Sequence, residues 1–258
     1  MSHISFSALK NWNQCPFYYK LTYVDRIKRF QGNHYTAFGT ALHEVCEKTL
    51  LDDTINEEAL FEDAFLRELQ SLPEEPRKEL TAKIIGDMRA QGKRLSTVAI
   101  PALHEYFPEF ELVSTEEGLM EPILDFDAAD FNFKGFIDLV VKTPDGKTHI
   151  IDWKTCSWGW DMQRKNDPMT TYQLTLYKYF YALKHGVDPS TIETHFALLK
   201  RTAKKDVVEI FRVTSGQKKT QNALNLLNKA LYNINKGTYI KNRLACGKCE
   251  FNKTPECP

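Results

Sequence analysis

The stretch Lys134-Gly135-Phe136-Ile137-Asp138-Leu139-Val140-Val141, followed after a short break by Thr148-His149-Ile150-Ile151-Asp152-Trp153-Lys154-Thr155, decides the fold. These two apolar runs, rich in β-branched residues, flank Thr143-Pro144-Asp145-Gly146-Lys147. Proline and Asp-Gly are turn chemistry, so the pair reads as a β-hairpin. Side chains alternate along a strand, so Asp152 and Lys154 share one face and Trp153 points away. With Asp138 on the other strand, two carboxylates and an amine converge at a sheet edge. Carboxylate oxygens suit Mg²⁺ or Mn²⁺. A neighbouring ammonium orients or activates water and offsets negative charge. Together they are equipped for metal-assisted hydrolysis of a phosphodiester. An isolated Asp-x-Lys is a weak signal, because charged residues near strand ends are mostly solvated surface.

The 258 residues suffice for one large domain, or two small ones, with a substantial core. Lys plus Arg (34) balance Asp plus Glu (34), which excludes a global basic field. A nucleic-acid partner would therefore be held by local positive patches. No apolar run is long enough to span a membrane. Met1-Ser2-His3-Ile4-Ser5-Phe6 has no basic segment leading into an apolar one, so no secretory signal is expected. A cytoplasmic protein is the expectation, and disulfides are rare there. Its six cysteines need another explanation.

Ser7 is expected to cap a short helix carrying Leu9, Trp12 and Asn13, with Pro16 near its end. Taken alone, Cys15 reads as a small buried residue, and Arg26, Lys28 and Arg29 as a solvated face. Gly39-Thr40 looks like a helix start, with Ala41, Leu42, Val45 and Cys46 on one face. His43 and Glu47 then share a side, where a neutral imidazole could ligate a metal. Residues 56–106 read as helices that pack together or cover the site. Pro73 and Pro76 break the pattern, and Pro101 starts a new helix or kinks an existing one.

Phe110 to Glu116 reads as a strand. One of Glu116, Glu117 and Glu121 could add a carboxylate to the site, with nothing to choose among them. Beyond Lys154 a loop runs to Asp167-Pro168. A helix follows over Thr171–Tyr181, with Leu174, Tyr177 and Tyr181 on its apolar face. Gln173 and Tyr177, four apart, could both reach a phosphate or a base. Thr194–Lys200 and Val207–Val213 read as strands. The basic turn Arg201-Thr202-Ala203-Lys204-Lys205 between them could touch a phosphate backbone. A long amphipathic helix is expected from Gly216 to Asn235. This order predicts an α/β fold, a mixed central β-sheet flanked by helices, with a helical N-terminal part and a cysteine-cluster tail. Residues 1–258 read as a single domain: N-terminal helices (1–55), a helical insertion (56–108), an α/β core (109–213), and a C-terminal helix with the cysteines (214–258).

Cys246 and Cys249 have C-x-x-C spacing, and Cys257 lies eight residues on. Three thiols in so short a tail point to a soft-metal site. Such a site wants four thiolates. Cys46 and Cys156 sit in a helix and at a strand end, so Cys15, in its Cys-Pro turn, is the best fourth. The cluster would close a loop nearly as long as the chain. Zinc and an iron–sulfur cluster both use four cysteines, and spacing does not separate them.

Taken together, these motifs resemble the iron–sulfur branch of the PD-(D/E)XK nuclease superfamily. That branch includes RecB-like nuclease domains, the AddB nuclease domain and CRISPR-associated RecB-like exonucleases. The matching stretches are Ser7 to Pro16 with Cys15, Gly39-Thr40-Ala41-Leu42-His43, Gly135-Phe136-Ile137-Asp138, Ile151-Asp152-Trp153-Lys154, Gln173-Leu174-Thr175-Leu176-Tyr177 and the terminal cysteines, in the family's order. The resemblance implies a restriction-endonuclease-like core and a Mg²⁺- or Mn²⁺-dependent DNA nuclease. Its action would be exonucleolytic, on single-stranded DNA or DNA ends, in recombination, repair or phage DNA metabolism. It implies that His43, Asp138, Asp152 and the Trp153 carbonyl ligate the metal, and that Lys154 positions or activates water. Gln173 and Tyr177 would orient the DNA, and Cys15, Cys246, Cys249 and Cys257 would hold a [4Fe–4S] cluster. Two departures stand out: the Cys249–Cys257 spacing is longer than usual, and Ile137 stands where the motif has proline. No helicase motif is present, so a stand-alone nuclease is implied, with a recombination or CRISPR-type protein as a candidate partner. The alternatives are a catalytically silent DNA- or protein-binding module on the same fold and a zinc-stabilised structural protein.

Overall fold

A computed structural model of the chain describes residues 2–124 and 131–258. In chain order it comprises β1 (Ser2–Ser5), α1 (Phe6–Gln14), α2 (Pro16–Tyr19), a π-helical turn (Lys20–Val24), α3 (His34–Leu51), α4 (Glu57–Ser71), α5 (Glu74–Lys78) and α6 (Ala82–Tyr106). There follow β2 (Glu111–Pro122), β3 (Phe131–Lys142), β4 (Thr148–Cys156), α7 (Met162–Asn166), α8 (Pro168–His185), β5 (Ile192–Lys200), β6 (Val208–Val213) and α9 (Gln217–Asn235).

The hairpin forms as its turn chemistry predicts. β3 and β4 pair antiparallel, and Gly146 supplies the left-handed residue of the turn at φ 83°. Together the strands make one mixed sheet, in the order β1-β3-β4-β5-β6, with β2 also paired to β3. β1–β3 and β4–β5 are parallel, and the remaining pairs are antiparallel.

Helices cover both faces, as expected for strands buried on two sides. On one face α1, α8 and α9 bury Leu9, Leu174, Phe180 and Leu227 against Phe133, Ile150, Phe196 and Leu198. On the other, α3, α4 and α6 bury Phe38, Leu42, Phe65 and Leu95 against Leu139, Ile151, Trp153 and Leu199. Among the described residues no helix is long and apolar enough to cross a membrane.

Several local expectations are corrected. Ser5, not Ser7, caps α1: its backbone is still extended, and its hydroxyl accepts the Ala8 N–H at 3.2 Å. Pro16 opens α2 rather than closing α1, because proline's missing N–H costs nothing at a first helical position. Gly39-Thr40 lies inside α3. That helix starts at Asn33, which forms a reciprocal capping box with Thr36. α6 runs unbroken through Pro101, where Ala99, Ile100 and Leu103 are all buried. β2 extends past Glu116 to Pro122, and the loop after Lys154 contains α7, capped by Asp161.

Two glycines of α6 have opposite surroundings. A Cβ on Gly92 would fall 1.9 Å from the Phe61 ring, whereas one on exposed Gly86 would meet nothing within 4 Å. Gly92→Ala should therefore destabilise the protein by about 1–3 kcal/mol through overpacking. Gly86→Ala should stabilise it by roughly 0.5–1 kcal/mol through helix propensity. Urea denaturation of the two variants reads both signs.

Candidate active site

The site lies where β3 changes partners. β1 pairs with residues 131–134 of β3, and β4 pairs only with residues 139–142. Neither ladder covers Gly135–Asp138. Asp138 bridges the fork, its Oδ2 accepting the Trp153 N–H at 2.7 Å. At Gly135 a Cβ would stand 2.7 Å from the Tyr177 ring, so only glycine lets α8 approach β3 this closely.

Three elements bring further donors. His43, on α3, places Nδ1 3.5 Å from Asp138 Oδ2. Glu116 lies across from Asp138, between the paired positions Thr115↔Leu139 and Glu117↔Ile137. Its φ of 48° is the left-handed conformation that a residue with a side chain rarely adopts. The ligand atoms of His43, Glu116 and Asp138 all lie within 4.8 Å of one another. Asp152 is buried on β4, its Oδ1 accepting from Gln173 Nε2 at 2.8 Å. The same amide reaches the Tyr177 hydroxyl at 3.2 Å. Asp152 Oδ2 sits 2.5 Å from Lys154 Nζ, in ion-pair contact but without hydrogen-bond geometry.

Crowded carboxylates set the electrostatics. Burial pushes Asp152 up to about 6; Lys154 opposes this and Asp138 adds to it. Burial alone would lower Lys154, but the Asp152 and Asp138 carboxylates outweigh it and hold the ammonium's pKa above its ordinary value. His43 is likewise held up, burial being outweighed by its hydrogen bond to Asp138 and by that group's charge. Burial, then Asp138 and Glu47, raise Glu116. This donor set of carboxylates and one imidazole, with a buried oxygen short of a hydrogen bond, fits a hard divalent cation.

The fold thus brings together His43, Asp138, Asp152, the Trp153 backbone and Lys154. Gln173 and Tyr177 join them, but the Gln173 amide is engaged with Asp152 and Tyr177. Of the three glutamates, Glu116 reaches the site, while Glu117 is held by Lys184 at 2.8 Å and His185 at 2.6 Å. That choice depends on strand register and one left-handed residue, neither of which composition reveals. Arg201, in the basic turn that could touch a phosphate backbone, bonds Gln91 Oε1 and Ser157 Oγ, each at 2.9 Å, and lies over the Tyr35 ring.

Elsewhere, Cys15, Cys246, Cys249 and Cys257 line one cavity of about 220 Å³. The Asn242 N–H donates to Cys15 Sγ at 3.3 Å. Tyr18 donates to Glu250 at 2.8 Å, and Arg29 pairs with Glu256 at 2.6 Å, docking the tail on the N-terminal helices. All six cysteines are free thiols; Cys46 is buried in α3, and Cys156 ends β4. Burial raises Cys249 against a backbone hydrogen bond at Phe251, and the Cys15, Cys257 and Cys246 thiols push it the same way. Neighbouring thiols oppose one another's ionisation in this way, and a bound cation would remove that opposition.

A family model described as the PD-(D/E)XK nuclease superfamily matches residues 3–254. Among solved structures, the chain is similar to a protein from Eubacterium rectale provisionally named an exonuclease. The TM-score is 0.62 at 14% identity, over 96% of this chain and 86% of that one. It is also similar to the structure of SSO0001, with a TM-score of 0.39 at 14% identity over 95% of this chain and 92% of that one. No curated protein matches.

Protons on Asp152, Glu116 and His43 compete with a cation for the same atoms. The uncharged form of Asp152 stabilises the fold. That contribution is complete below the unfolded pKa and disappears as pH rises through about 6. A cation replaces what is lost, so the rise in melting temperature on adding Mn²⁺ should be larger at pH 8 than at pH 5. Asp138→Asn should remove most of that rise at both pH values. Fluorimetric melting curves test this, and equal rises at the two pH values would contradict it.

Proposed function

The chain belongs to the PD-(D/E)XK nuclease superfamily, and from that premise we propose that it is a Mg²⁺- or Mn²⁺-dependent deoxyribonuclease of the RecB-like iron–sulfur branch, cutting single-stranded DNA or DNA ends as an exonuclease. The convergence of Asp138, Asp152 and Lys154 at the β3–β4 fork carries this reading. The exonuclease part follows the resemblance to that branch and the name borne by the Eubacterium rectale protein.

Asp138 and Asp152, with His43, Glu116 and the Trp153 carbonyl, would hold the divalent ion. When bound, that ion supplies Lewis-acid stabilisation of phosphate charge and activation of water. Lys154 keeps its proton between Asp152 and Asp138. It therefore acts as a cation that orients water and stabilises the developing charge, not as a base. Gln173 is a positioning residue: it fixes one Asp152 oxygen and leaves the other toward Lys154 and the ion. Tyr177 backs the Gln173 amide.

The four cysteines would hold a [4Fe–4S] cluster. The four thiols line one cavity, and the resemblance to the iron–sulfur branch is what favours a cluster over a lone zinc ion.

Labelled single-stranded DNA with Mg²⁺ or Mn²⁺ tests the chemistry. Asp152→Ala and Lys154→Ala should each lower the cleavage rate by about 100-fold or more. DNA bound but left uncut under either metal would mark the chain as a silent binding module instead. Protein purified without oxygen should be brown, with iron and sulfide in equal amounts, and Cys249→Ser should bleach it. A colourless protein holding one zinc per chain would overturn the cluster assignment.

A further inference from the structure

A second donor group lies on the opposite face of the sheet. His149 on β4 and Glu193 and His195 on β5 present ligand atoms that all lie within 4.8 Å of one another. His149 is three residues from Asp152, so alternation puts it on the other face, alongside Ile151. We propose that His149, Glu193 and His195 form a second metal site, of the kind that takes Zn²⁺ or a similar borderline ion and is separate from the nuclease centre.

The hydrogen bonds around the rings already have the pattern that such a site needs. His149 Nδ1 and His195 Nε2 face each other at 3.0 Å. His149 Nε2 lies 2.9 Å from Thr143 Oγ1, and His195 Nδ1 lies 3.4 Å from the Tyr106 hydroxyl. A metal-binding histidine almost always donates its other ring N–H to a fixed acceptor. Both rings here have a hydroxyl in that place. Thr143 gives its own proton to Asp145 at 2.5 Å, so it accepts from His149 Nε2–H. That leaves His149 Nδ1 unprotonated and facing His195.

Only one proton then stands in the way, on His195 Nε2. It moves to Nδ1 of the same ring, and Tyr106 turns its hydroxyl to accept it. No proton is released, and two nitrogen lone pairs face one point. Glu193 supplies the third donor. Lys147 at 3.1 Å and Arg212 at 3.2 Å both hold its Oε1, which leaves Oε2 for the ion.

Surroundings and donors set the type of ion. Both imidazoles are buried, and the Phe107 ring lies 4.7 Å from that of His149 and 5.2 Å from that of His195. An open cleft lined by Tyr106, Thr143, Asp145 and His149 gives access from solvent. Two nitrogens and one carboxylate with room for a water match a three-ligand zinc site. Mg²⁺ prefers oxygen and keeps its waters, so this donor set discriminates against it. The ion would pin the β3–β4 turn to the end of α6.

Histidine-selective ¹⁵N spectra of the full chain, titrated with ZnCl₂ and separately with MgCl₂, test the site. These spectra read the rings directly, so zinc held by thiols does not interfere. Zn²⁺ should convert His195 from the Nε2–H to the Nδ1–H tautomer and shift His149 Nδ1, while Mg²⁺ should do neither. Thr143→Val, which removes the acceptor for His149 together with the Thr143–Asp145 hydrogen bond, should weaken zinc binding at these rings by about 10–100-fold. Glu193→Gln should also weaken it. Persistence of the Nε2–H tautomer of His195 at saturating Zn²⁺ would overturn the proposal. If the Thr143→Val protein does not fold, the wild-type spectra decide alone.

Discussion

A single hydrogen bond, from the Trp153 N–H to Asp138 Oδ2 at 2.7 Å, holds together the fork on which this structure depends. Two strands that part leave unpaired backbone groups, and a buried unpaired N–H is costly. Asp138 satisfies one such donor with a carboxylate. It closes the gap in the sheet and fixes an anionic group at the point where His43, Glu116 and Asp152 also arrive. The same contact therefore serves the fold and creates the charge density that a divalent cation would relieve.

That density is costly to the unliganded protein. Asp152 is buried beside another carboxylate, and isolated buried charges are tolerated only when paired or hydrogen-bonded. Gln173 and Lys154 share this task, one on each oxygen. Glu116 adds a left-handed backbone to the local strain. The two apolar layers, which include Phe133, Phe180 and Phe196 on one face and Phe38, Phe61 and Trp153 on the other, keep these groups in place.

The sequence makes some of this legible and not the rest, for physical reasons. Two apolar, β-branched runs around Pro-Asp-Gly define a hairpin locally, so the placement of Asp138, Asp152 and Lys154 is readable from the residues alone. Helix periodicity likewise puts His43 on one face of α3 and Gln173 beside Tyr177. The start of α3 is hidden because the capping box Asn33–Thr36 lies a turn before the apolar repeat, whereas Gly39 imitates a break. Gly39 instead makes a close contact, since a Cβ there would stand 3.3 Å from Thr155 Oγ1. Sequence does not single out Glu116 from Glu117 and Glu121, because the choice rests on β2–β3 register. His149 and His195, 46 residues apart, meet only because β4 and β5 are parallel neighbours, a tertiary fact with no local signature.

The same fork explains why both ends of the chain matter to a site in its middle. β1 is only four residues long, yet it lines the half of β3 that β4 leaves uncovered. α1 follows directly, and Cys15 ends it. The tail grips that end through Asn242, whose side chain bonds Gln14 O at 2.8 Å and whose backbone bonds Cys15 Sγ. A continuous run of contacts thus leads from the terminal cysteines through α1 and β1 to β3, four residues from Asp138. Anything that ties the four thiols together also restrains the short strand that borders the fork, because a strand of four residues has little pairing energy of its own to resist fraying. The cysteine cavity is thus joined through α1 and β1 to the strand that carries Asp138, although it contributes no atom to the carboxylate site.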